Sequence, residues 1–324
     1  MRRTGGVIAS GIIAIVGSLV TILIGILLVV TVSGMRANPL PAGSPTPPIN
    51  IPRVLIAEAV VLVGFGIFGI VSAIALFMLK NWARISFLVF ACLLALFSVT
   101  GMIGTTIGTL LAPQMATPGQ APPQGILTGV LVMFAVIWLL LLGLSIWWLY
   151  YLTRRSVNEL FQTGAEIDTP RRGPLSVTII AWLLTIGGLF AGVTVFASYP
   201  VFMFGMLFTG WTARLVLIPF GVVNLVAGIG MLRWRLQAHT LAVALYGFYL
   251  LSTITSVILP GSIERMQVAM QQMGYPEAPV PALSTSFIGI GMVISVLAVC
   301  VPLFFLITRR RAFLEACTVA EVEG

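Results

Sequence analysis

Long apolar runs separated by short polar connections dominate the sequence, and their lengths indicate helices that cross a lipid bilayer. A spanning helix needs about 20 apolar residues, and backbone groups in hydrocarbon find partners only within a helix or a closed barrel. The runs lack the alternating pattern of barrel strands, which recurs over segments of about ten residues. We therefore predict an all-α protein with eight transmembrane helices, over 7–32, 54–79, 85–111, 126–152, 175–197, 213–232, 240–259 and 284–307.

Two of the connections between the runs are short and basic, and they share a spacing. Residues 79–84 (LKNWAR) separate the second run from the third, and residues 234–239 (WRLQAH) separate the sixth from the seventh. The second turn follows the first by 155 residues, with Gln237 in place of Trp82 and His239 in place of Arg84. This spacing indicates that the chain contains two copies of one unit.

An internal duplication of four helices accounts for the offset of 155 residues, which holds without a gap from Leu62 to Arg155. The first helices align only after a shift, because the proline-rich linker at 33–53 is longer than its counterpart. An even number of crossings inserts both repeats in the same orientation, so we predict that they are related by an axis along the membrane normal. The matched positions include Phe65-Gly66 with Phe220-Gly221, Lys80 with Arg235, Thr100 with Thr255, and Thr153-Arg154-Arg155 with Thr308-Arg309-Arg310.

The most polar stretch of the chain, 153–174, marks the boundary between the repeats. We predict a first repeat over 1–163, a cytoplasmic linker over 164–174, and a second repeat with a short cytoplasmic tail over 175–324. Val157, Leu160 and Phe161 are expected to continue the fourth helix as a short segment at the membrane surface.

Basic residues alternate between the two sides of the predicted bundle. With both termini on one side, that side carries 13 of the 17 Lys and Arg residues and the other side carries 4. Lys and Arg are enriched in cytoplasmic loops, so we predict that both termini and both basic turns are cytoplasmic. The 13 are Arg2, Arg3, Lys80, Arg84, Arg154, Arg155, Arg171, Arg172, Arg233, Arg235, Arg309, Arg310 and Arg311, and the 4 are Arg36, Arg53, Arg214 and Arg265.

The composition agrees with a membrane protein and argues against several other classes. Apolar residues make up 59% of the chain and charged residues 8%, whereas soluble domains carry about 25% charged residues. The net charge of +8 comes from small clusters at helix ends and not from a continuous stripe, so nucleic acid is not an expected partner. Cys92, Cys300 and Cys317 form no CxxC pair, and we interpret them as small buried apolar residues.

Four further segments carry predictions. The run 7–32 follows Arg2-Arg3 and has 26 residues, longer than the roughly 7–15 of a signal peptide, which indicates an uncleaved signal-anchor. Residues 199–212 are expected at the outer interface or as an extension of the sixth helix. Residues 261–274 are expected to form an amphipathic helix, either on the outer membrane surface or packed on the bundle. The tail after Ile307 is expected to end disordered.

Two basic segments of the chain are similar to segments of a known class of proteins. They are the turn after the second helix and the start before the fifth, Arg171-Arg172-Gly173-Pro174-Leu175. They resemble bacterial polytopic membrane proteins of unknown function that contain tandem four-helix modules. The resemblance covers most of the chain, although residues 234–239 depart from the LKNWAR pattern. It implies a location in the bacterial plasma (inner) membrane and implies no activity.

Three polar side chains within the predicted spans are the candidate functional residues: Glu58, Arg214 and Asn224. A charge within a span is a functional candidate, but Glu58 and Arg214 lie within about a turn of the outer helix ends, where the alternative is extension of the side chain to the interface. The two correspond to neighbouring positions of the repeats, so we predict that they pair. Asn224 is expected to contact a substrate or to hydrogen-bond a neighbouring helix, and the second role is favoured.

Other polar residues are expected to be structural. The hydroxyls of the seventh helix (Ser252, Thr253, Thr255 and Ser256) are expected to bind neighbouring helices or their own carbonyls. His239 is the single histidine and is expected to act as a basic interfacial residue like Arg84. The sequence contains no metalloprotease motif and no phosphate-binding loop, and we expect no catalytic residue, cofactor or metal.

Two functions remain. The first is a non-enzymatic structural, assembly or regulatory membrane module whose partners are the lipid bilayer and other membrane proteins or further copies of the chain. The second is a small secondary transporter for an apolar or lipid-like substrate bound between the two halves. The scarcity of polar groups within the spans favours the first, and the duplication favours the second.

Overall fold

The computed structural model describes residues 5–37, 51–115, 124–163, 174–197, 199–262, 265 and 285–323. These residues are helical apart from connecting turns and one short hairpin, as predicted from the long apolar runs. The helices are α1 (Gly5–Ala37), α2 (Ile51–Phe77), α3 (Asn81–Met115), α4 (Gln124–Thr153), α5 (Arg155–Thr163), α6 (Leu175–Ala197), α7 (Gly210–Leu232), α8 (Leu236–Ile258), α9 (Thr285–Thr308) and α10 (Arg310–Glu323). The hairpin consists of β1 (Val201–Met203) and β2 (Met206–Phe208).

Seven of the described helices are long and apolar enough to cross a membrane. They are the helices α1 to α4 and α6 to α8, so the protein is a multi-pass membrane protein. The eighth predicted run falls on α9, in which the apolar segment Ser295–Thr308 is shorter than a span within the residues searched. The predicted amphipathic segment at 261–274 lies almost entirely outside the described residues.

The described chain forms two compact units. The first contains α3, α4, α5, the part of α1 up to Ile26 and the part of α2 from Leu62. The second contains α6 to α10, the hairpin, and the remaining parts of α1 and α2. Its core is built from five helices, with buried residues Val177, Ile180, Ala181, Leu184, Ala227, Met231, Ala238, Ala242, Leu245, Tyr246, Leu306, Phe313 and Cys317.

Glycines bring neighbouring helices close together in both units. A Cβ atom on Gly221 of α7 would lie 2.9 Å from Cβ of Ala191 in α6, and one on Gly188 would lie 2.8 Å from the carbonyl oxygen of Gly221. In the first unit, a Cβ atom on Gly66 of α2 would lie 2.8 Å from the carbonyl oxygen of Ser18 in α1. Backbones that approach this closely exclude any larger side chain, as at other membrane helix crossings.

Both basic turns end a helix with the same backbone motif. Leu79 and Trp234 each adopt a left-handed conformation with φ of 56°. Lys80 N–H donates to the carbonyl of Ala75 and Leu79 N–H to that of Leu76, each at 3.0 Å. Equivalent bonds join Arg235 to Gly230 and Trp234 to Met231, also at 3.0 Å. This is a Schellman closure, in which glycine usually occupies the left-handed position.

Each of the short helices α5 and α10 is the last helix of its unit and buries one face. Val157 and Phe161 of α5 are buried, and so are Phe313, Ala316 and Cys317 of α10. The expectation that the chain ends disordered after Ile307 is wrong for the described residues, because α10 extends to Glu323. The apolar positions 313, 316 and 317 recur at helical spacing and supply a face to pack.

The segment 199–212 contains a β-hairpin, and only its residues 210–212 extend the sixth predicted helix, which is α7. Strands β1 and β2 pair antiparallel, with Met203 opposite Met206. Phe204 and Gly205 form the turn, and both have positive φ (52° and 70°), as a two-residue type I′ turn requires. The remaining residues lead into α7, which begins at Gly210.

Candidate functional site

Glu58 lies on the part of α2 that belongs to the second unit, and its side chain is exposed. Tyr199, which follows α6, donates a hydrogen bond from its hydroxyl to Oε1 of Glu58 at 3.1 Å. Burial of Tyr199, the nearby Glu58 charge and this hydrogen bond together raise the pKa of the phenol. Tyr199 therefore stays protonated and acts as a donor to the carboxylate.

Arg214 lies in the first turns of α7 and is partly buried. Its guanidinium carbon lies 5.1 Å from the centroid of the Trp211 ring, a cation–π distance. Trp211 is itself exposed. The described contacts thus give Glu58 and Arg214 different aromatic neighbours, and the proposed pairing between them stays a prediction.

Asn224 is buried in the middle of α7, with 7% of its surface exposed. Its Nδ2 donates to the carbonyl of Phe220 at 2.8 Å and to the hydroxyl of Tyr249 on α8 at 2.6 Å. Asn224 therefore forms an interhelical hydrogen bond, the role that the sequence favoured over substrate contact. Polar bonds of this kind join membrane helices at a typical gain of about 1 kcal/mol.

The hydroxyls of α8 divide into two groups. Thr253 and Thr255 donate to carbonyls of their own helix at 2.9 and 2.7 Å. Ser252 Oγ accepts from Phe204 N–H at 3.1 Å, and Ser256 Oγ accepts from Gly205 N–H at 2.9 Å while it also donates to the carbonyl of Ser252 at 2.8 Å. The two serines lie one turn apart, so they bind both amides of the hairpin turn and fasten it to α8.

Arg265 completes this attachment of the hairpin. Its Nε donates to the carbonyl of Gly205 at 2.6 Å, and its Nη2 donates to the carbonyl of Pro260 at 3.1 Å. The turn thus has partners for the Phe204 and Gly205 amides and for the Gly205 carbonyl. The sequence does not predict the hairpin, because no glycine-rich pair of residues marks its turn.

A buried arginine holds α5 against the start of α3, an arrangement that we name the first clasp. Only 1% of the Arg84 surface is exposed. Its Nη1 donates to Oδ1 of Asn158 on α5, and its guanidinium carbon lies 6.0 Å from the centroid of the Phe161 ring. In the sequence, Arg84 is one of the charges that predict the orientation of the chain in the membrane, whereas in the structure it is buried inside the first unit.

A histidine holds α10 against the start of α8 in the second unit, and we name this arrangement the second clasp. His239 is 2% exposed, and its Nε2 lies 3.1 Å from the carbonyl oxygen of Leu306. The imidazole stacks on the Phe313 ring with centroids 4.8 Å apart and an interplanar angle of 30°. The expected role as a basic interfacial residue is wrong, because the ring is buried between α8, α9 and α10.

The geometry offers structural bonds more readily than reactive ones. Among the described residues, no group of three or more His, Cys, Asp and Glu side chains is placed to hold a metal ion. Comparisons of the chain with protein-family models, curated proteins and solved structures found no match.

Proposed function

We propose that the protein is a non-enzymatic membrane module with a structural, assembly or regulatory role. The carrying observation is that polar groups within the described spans mostly bond inside the protein. Asn224 binds Tyr249, and many hydroxyls donate to carbonyls of their own helix, including those of Thr100, Thr105, Thr106, Thr109, Thr185, Thr253 and Thr255. Groups bonded in this way have little capacity left for a polar solute.

The proposal includes eight spans in two repeats of the same orientation. Helix boundaries support it, because several of them lie 155 residues apart. Helices α2 and α7 end at Phe77 and Leu232, and helices α3 and α8 begin at Asn81 and Leu236. The same offset relates the ends of α4 and α9, at Thr153 and Thr308, and the starts of α5 and α10, at Arg155 and Arg310. An experimental structure in which the halves match only after inversion across the membrane would refute it.

The proposal also includes a bacterial inner-membrane location with both termini in the cytoplasm. The division of 13 basic residues against 4 supports this orientation. Single cysteines introduced at Gln120 and Gln162, in a chain whose three native cysteines are replaced by alanine, test it with a membrane-impermeant maleimide. We expect labelling of intact cells at position 120 alone. Labelling at position 162 from outside would reverse the orientation.

The alternative function is a small secondary transporter for an apolar or lipid-like substrate. The constant offset favours it, because many transporters are built from repeats. In addition, Ser10 and Ser72 are buried hydroxyls without a hydrogen-bond partner among the described residues. Both lie in the first unit.

Reconstitution and photo-crosslinking separate the two functions. In proteoliposomes that contain a fluorescent phospholipid, a module should not raise the rate of lipid translocation above that of protein-free vesicles. In bacterial membranes, a photoreactive residue at Leu140, 68% exposed on α4, should give adducts of discrete protein mass. The same residue at Phe87, 1% exposed, is the matched control and should give none. Translocation that the chain accelerates, and that Ser10→Ala with Ser72→Ala abolishes, would establish the transporter instead.

A further inference from the structure

Five exposed arginines gather at one end of the second unit, and we name them the arginine cluster. Arg233 and Arg235 flank Trp234 in the turn between α7 and α8, and Arg309, Arg310 and Arg311 lie at the junction of α9 and α10. All five side chains are exposed. The acidic residue nearest in sequence to Arg309, Arg310 and Arg311 is Glu315, which is also exposed. The cluster therefore carries a large excess of positive charge.

Two contacts hold the halves of the arginine cluster next to each other. The Trp234 ring packs on the Phe313 ring with centroids 5.3 Å apart. The Cys317 thiol donates to the carbonyl of Trp234 at 2.7 Å. The turn that carries Arg233 and Arg235 is thus docked on α10 within two turns of its start. The cluster is a fixed surface feature of the second unit.

At the corresponding positions of the first unit, the arginines interact with neighbouring side chains. Arg154 donates to the Tyr150 hydroxyl at 2.8 Å and lies 4.4 Å from the centroid of that ring, and Arg155 pairs with Glu159 at 3.2 Å. At the offset of 155 residues, Phe305 replaces Tyr150 and Leu314 replaces Glu159. The partners that engage the first pair of arginines are therefore replaced by apolar side chains in the second unit.

We propose that the arginine cluster binds the headgroups of anionic phospholipids. Arg233 follows the last residue of α7, Arg235 precedes the first residue of α8, and Arg309 follows the last residue of α9. These positions place the guanidinium groups at the depth where the apolar helices end and phosphates begin. Guanidinium groups bind phosphate oxygens in a bidentate geometry, and clusters of 4–8 basic residues beside a span are typical of anionic-lipid binding.

The start of α10 adds to the attraction for phosphate. Its 14 residues form a helix whose N-terminal amides carry a partial positive charge. Trp234, between Arg233 and Arg235, is of the type that settles at the headgroup level. The inference rests on the proposed membrane module and its cytoplasmic face, since bacterial anionic lipids are available there. It identifies a lipid partner for that module.

Native mass spectrometry of the full chain in detergent micelles tests the proposal. Phosphatidylglycerol and phosphatidylcholine are added at equal concentrations, and the lipid retained per chain is measured. The test variant is Arg309→Gln, Arg310→Gln, Arg311→Gln. The matched control removes three charges from the first unit through Lys80→Gln, Arg154→Gln, Arg155→Gln. We expect the wild-type chain to prefer phosphatidylglycerol, the test variant to bind it roughly tenfold or more weakly, and the control to change less than about twofold.

Each other outcome also decides the question. Equal loss in both variants, or no loss in the test variant, would overturn the proposal. Arg309→Lys, Arg310→Lys, Arg311→Lys should retain most binding, and its failure to do so while the thermal unfolding temperature is unchanged would also count against a charge-based site. Competition by glycerol phosphate at the same concentration would assign the site to a free phosphate and not to a lipid. A micelle does not have two sides, so a negative result in this experiment does not bear on the proposed cytoplasmic orientation. Maleimide labelling tests that orientation separately.

Discussion

The first and second clasps join equivalent positions with different chemistry. Arg84 and Asn158 in the first unit correspond to His239 and Phe313 in the second at the offset of 155 residues. The first pair is a guanidinium that donates to an amide oxygen, and the second is an imidazole stacked on a phenyl ring. In both units, the fourth residue of the helix that follows the basic turn is buried against the short helix at the end of that unit.

The difference indicates that the backbone brings position 84 or 239 against the short helix α5 or α10, and that the side chains at this contact only have to complement each other. The Schellman closures at Leu79 and Trp234 have the same hydrogen bonds, so each starts its next helix in the same local geometry. Arg84 and His239 are accordingly both buried at this position, although both are polar. The buried Arg84 is tolerated because its guanidinium donates to Asn158 and lies near the Phe161 ring. The buried His239 is tolerated because its ring stacks on Phe313 and its Nε2 contacts the Leu306 carbonyl.

The largest expected effect is the removal of the buried cation. Arg84→Met should lower the free energy of unfolding by about 2–3 kcal/mol, because hydrogen bonds to charged groups contribute that much and Asn158 is left without its donor. Unfolding in mixed detergent micelles measures it. Lys80→Met, which replaces an exposed charge four residues earlier, is the control and should cost less than about 0.5 kcal/mol. Equal costs would contradict the first clasp.

An exchange of chemistry between the units is the sharpest test of the comparison. Arg84→His and Asn158→Phe should each destabilise the first unit, because each leaves its partner mismatched. The double variant should recover about 1 kcal/mol relative to the sum of the single effects, since it recreates the pair found in the second unit. Arg84→His with Asn158→Leu is the control, which supplies an apolar side chain without a ring. If the two double variants recover equally, the stacking interpretation fails.

A smaller effect is expected when the second clasp loses its hydrogen bond and keeps its stack. His239→Phe preserves a ring over Phe313 but leaves the Leu306 carbonyl without its ring-nitrogen partner, at a cost of about 1 kcal/mol. His239→Ala should cost more, because it removes the stacked ring as well. A chain in which the phenylalanine variant is no less stable than wild type would show that the carbonyl contact contributes nothing.

The smallest expected effects concern two charges that occur in only one of the two predicted repeats. Glu58 corresponds to Ala213, and Arg214 corresponds to Ala59. Glu58→Gln and Arg214→Gln should each cost less than about 1 kcal/mol, because ionic contacts that solvent reaches at least in part contribute little. A double-mutant cycle then tests the predicted pair. Coupling of about 0.5 kcal/mol or more supports it, whereas strictly additive effects assign each residue to its own aromatic neighbour.

The sequence predicts the helices of this protein well, because long apolar runs leave the backbone no other way to satisfy its groups. Seven of the expected spans have helices of suitable length, and both basic turns separate helices as predicted. Asn224 also meets the favoured expectation, since an amide deep in a span requires a partner. Periodicity and hydropathy were sufficient for these features.

Burial of the charged turn residues was not predictable from the same pattern. Arg84 counts as a topology signal in the sequence, and its partner Asn158 lies 74 residues away. Leu79 and Trp234 adopt the left-handed conformation, but neither residue is a glycine, so the sequence does not mark these helix ends. Helix α10 was missed because charged residues interrupt its apolar ones, and its buried face at positions 313, 316 and 317 can be recognised only when the turn that it covers is known. Long-range pairs of this kind leave no local signature.

The separation of the clasp partners along the chain has a consequence for biosynthesis. His239 and the Leu306 carbonyl are 67 residues apart, and Arg84 precedes Asn158 by 74. At about 5–20 residues per second, Arg84 emerges from the ribosome roughly 4–15 seconds before the side chain that receives it. During that interval the Arg84 guanidinium cannot reach Asn158 and stays hydrated, because burial of an unpaired charge is costly. Each clasp therefore forms only after the last helix of its unit has been made.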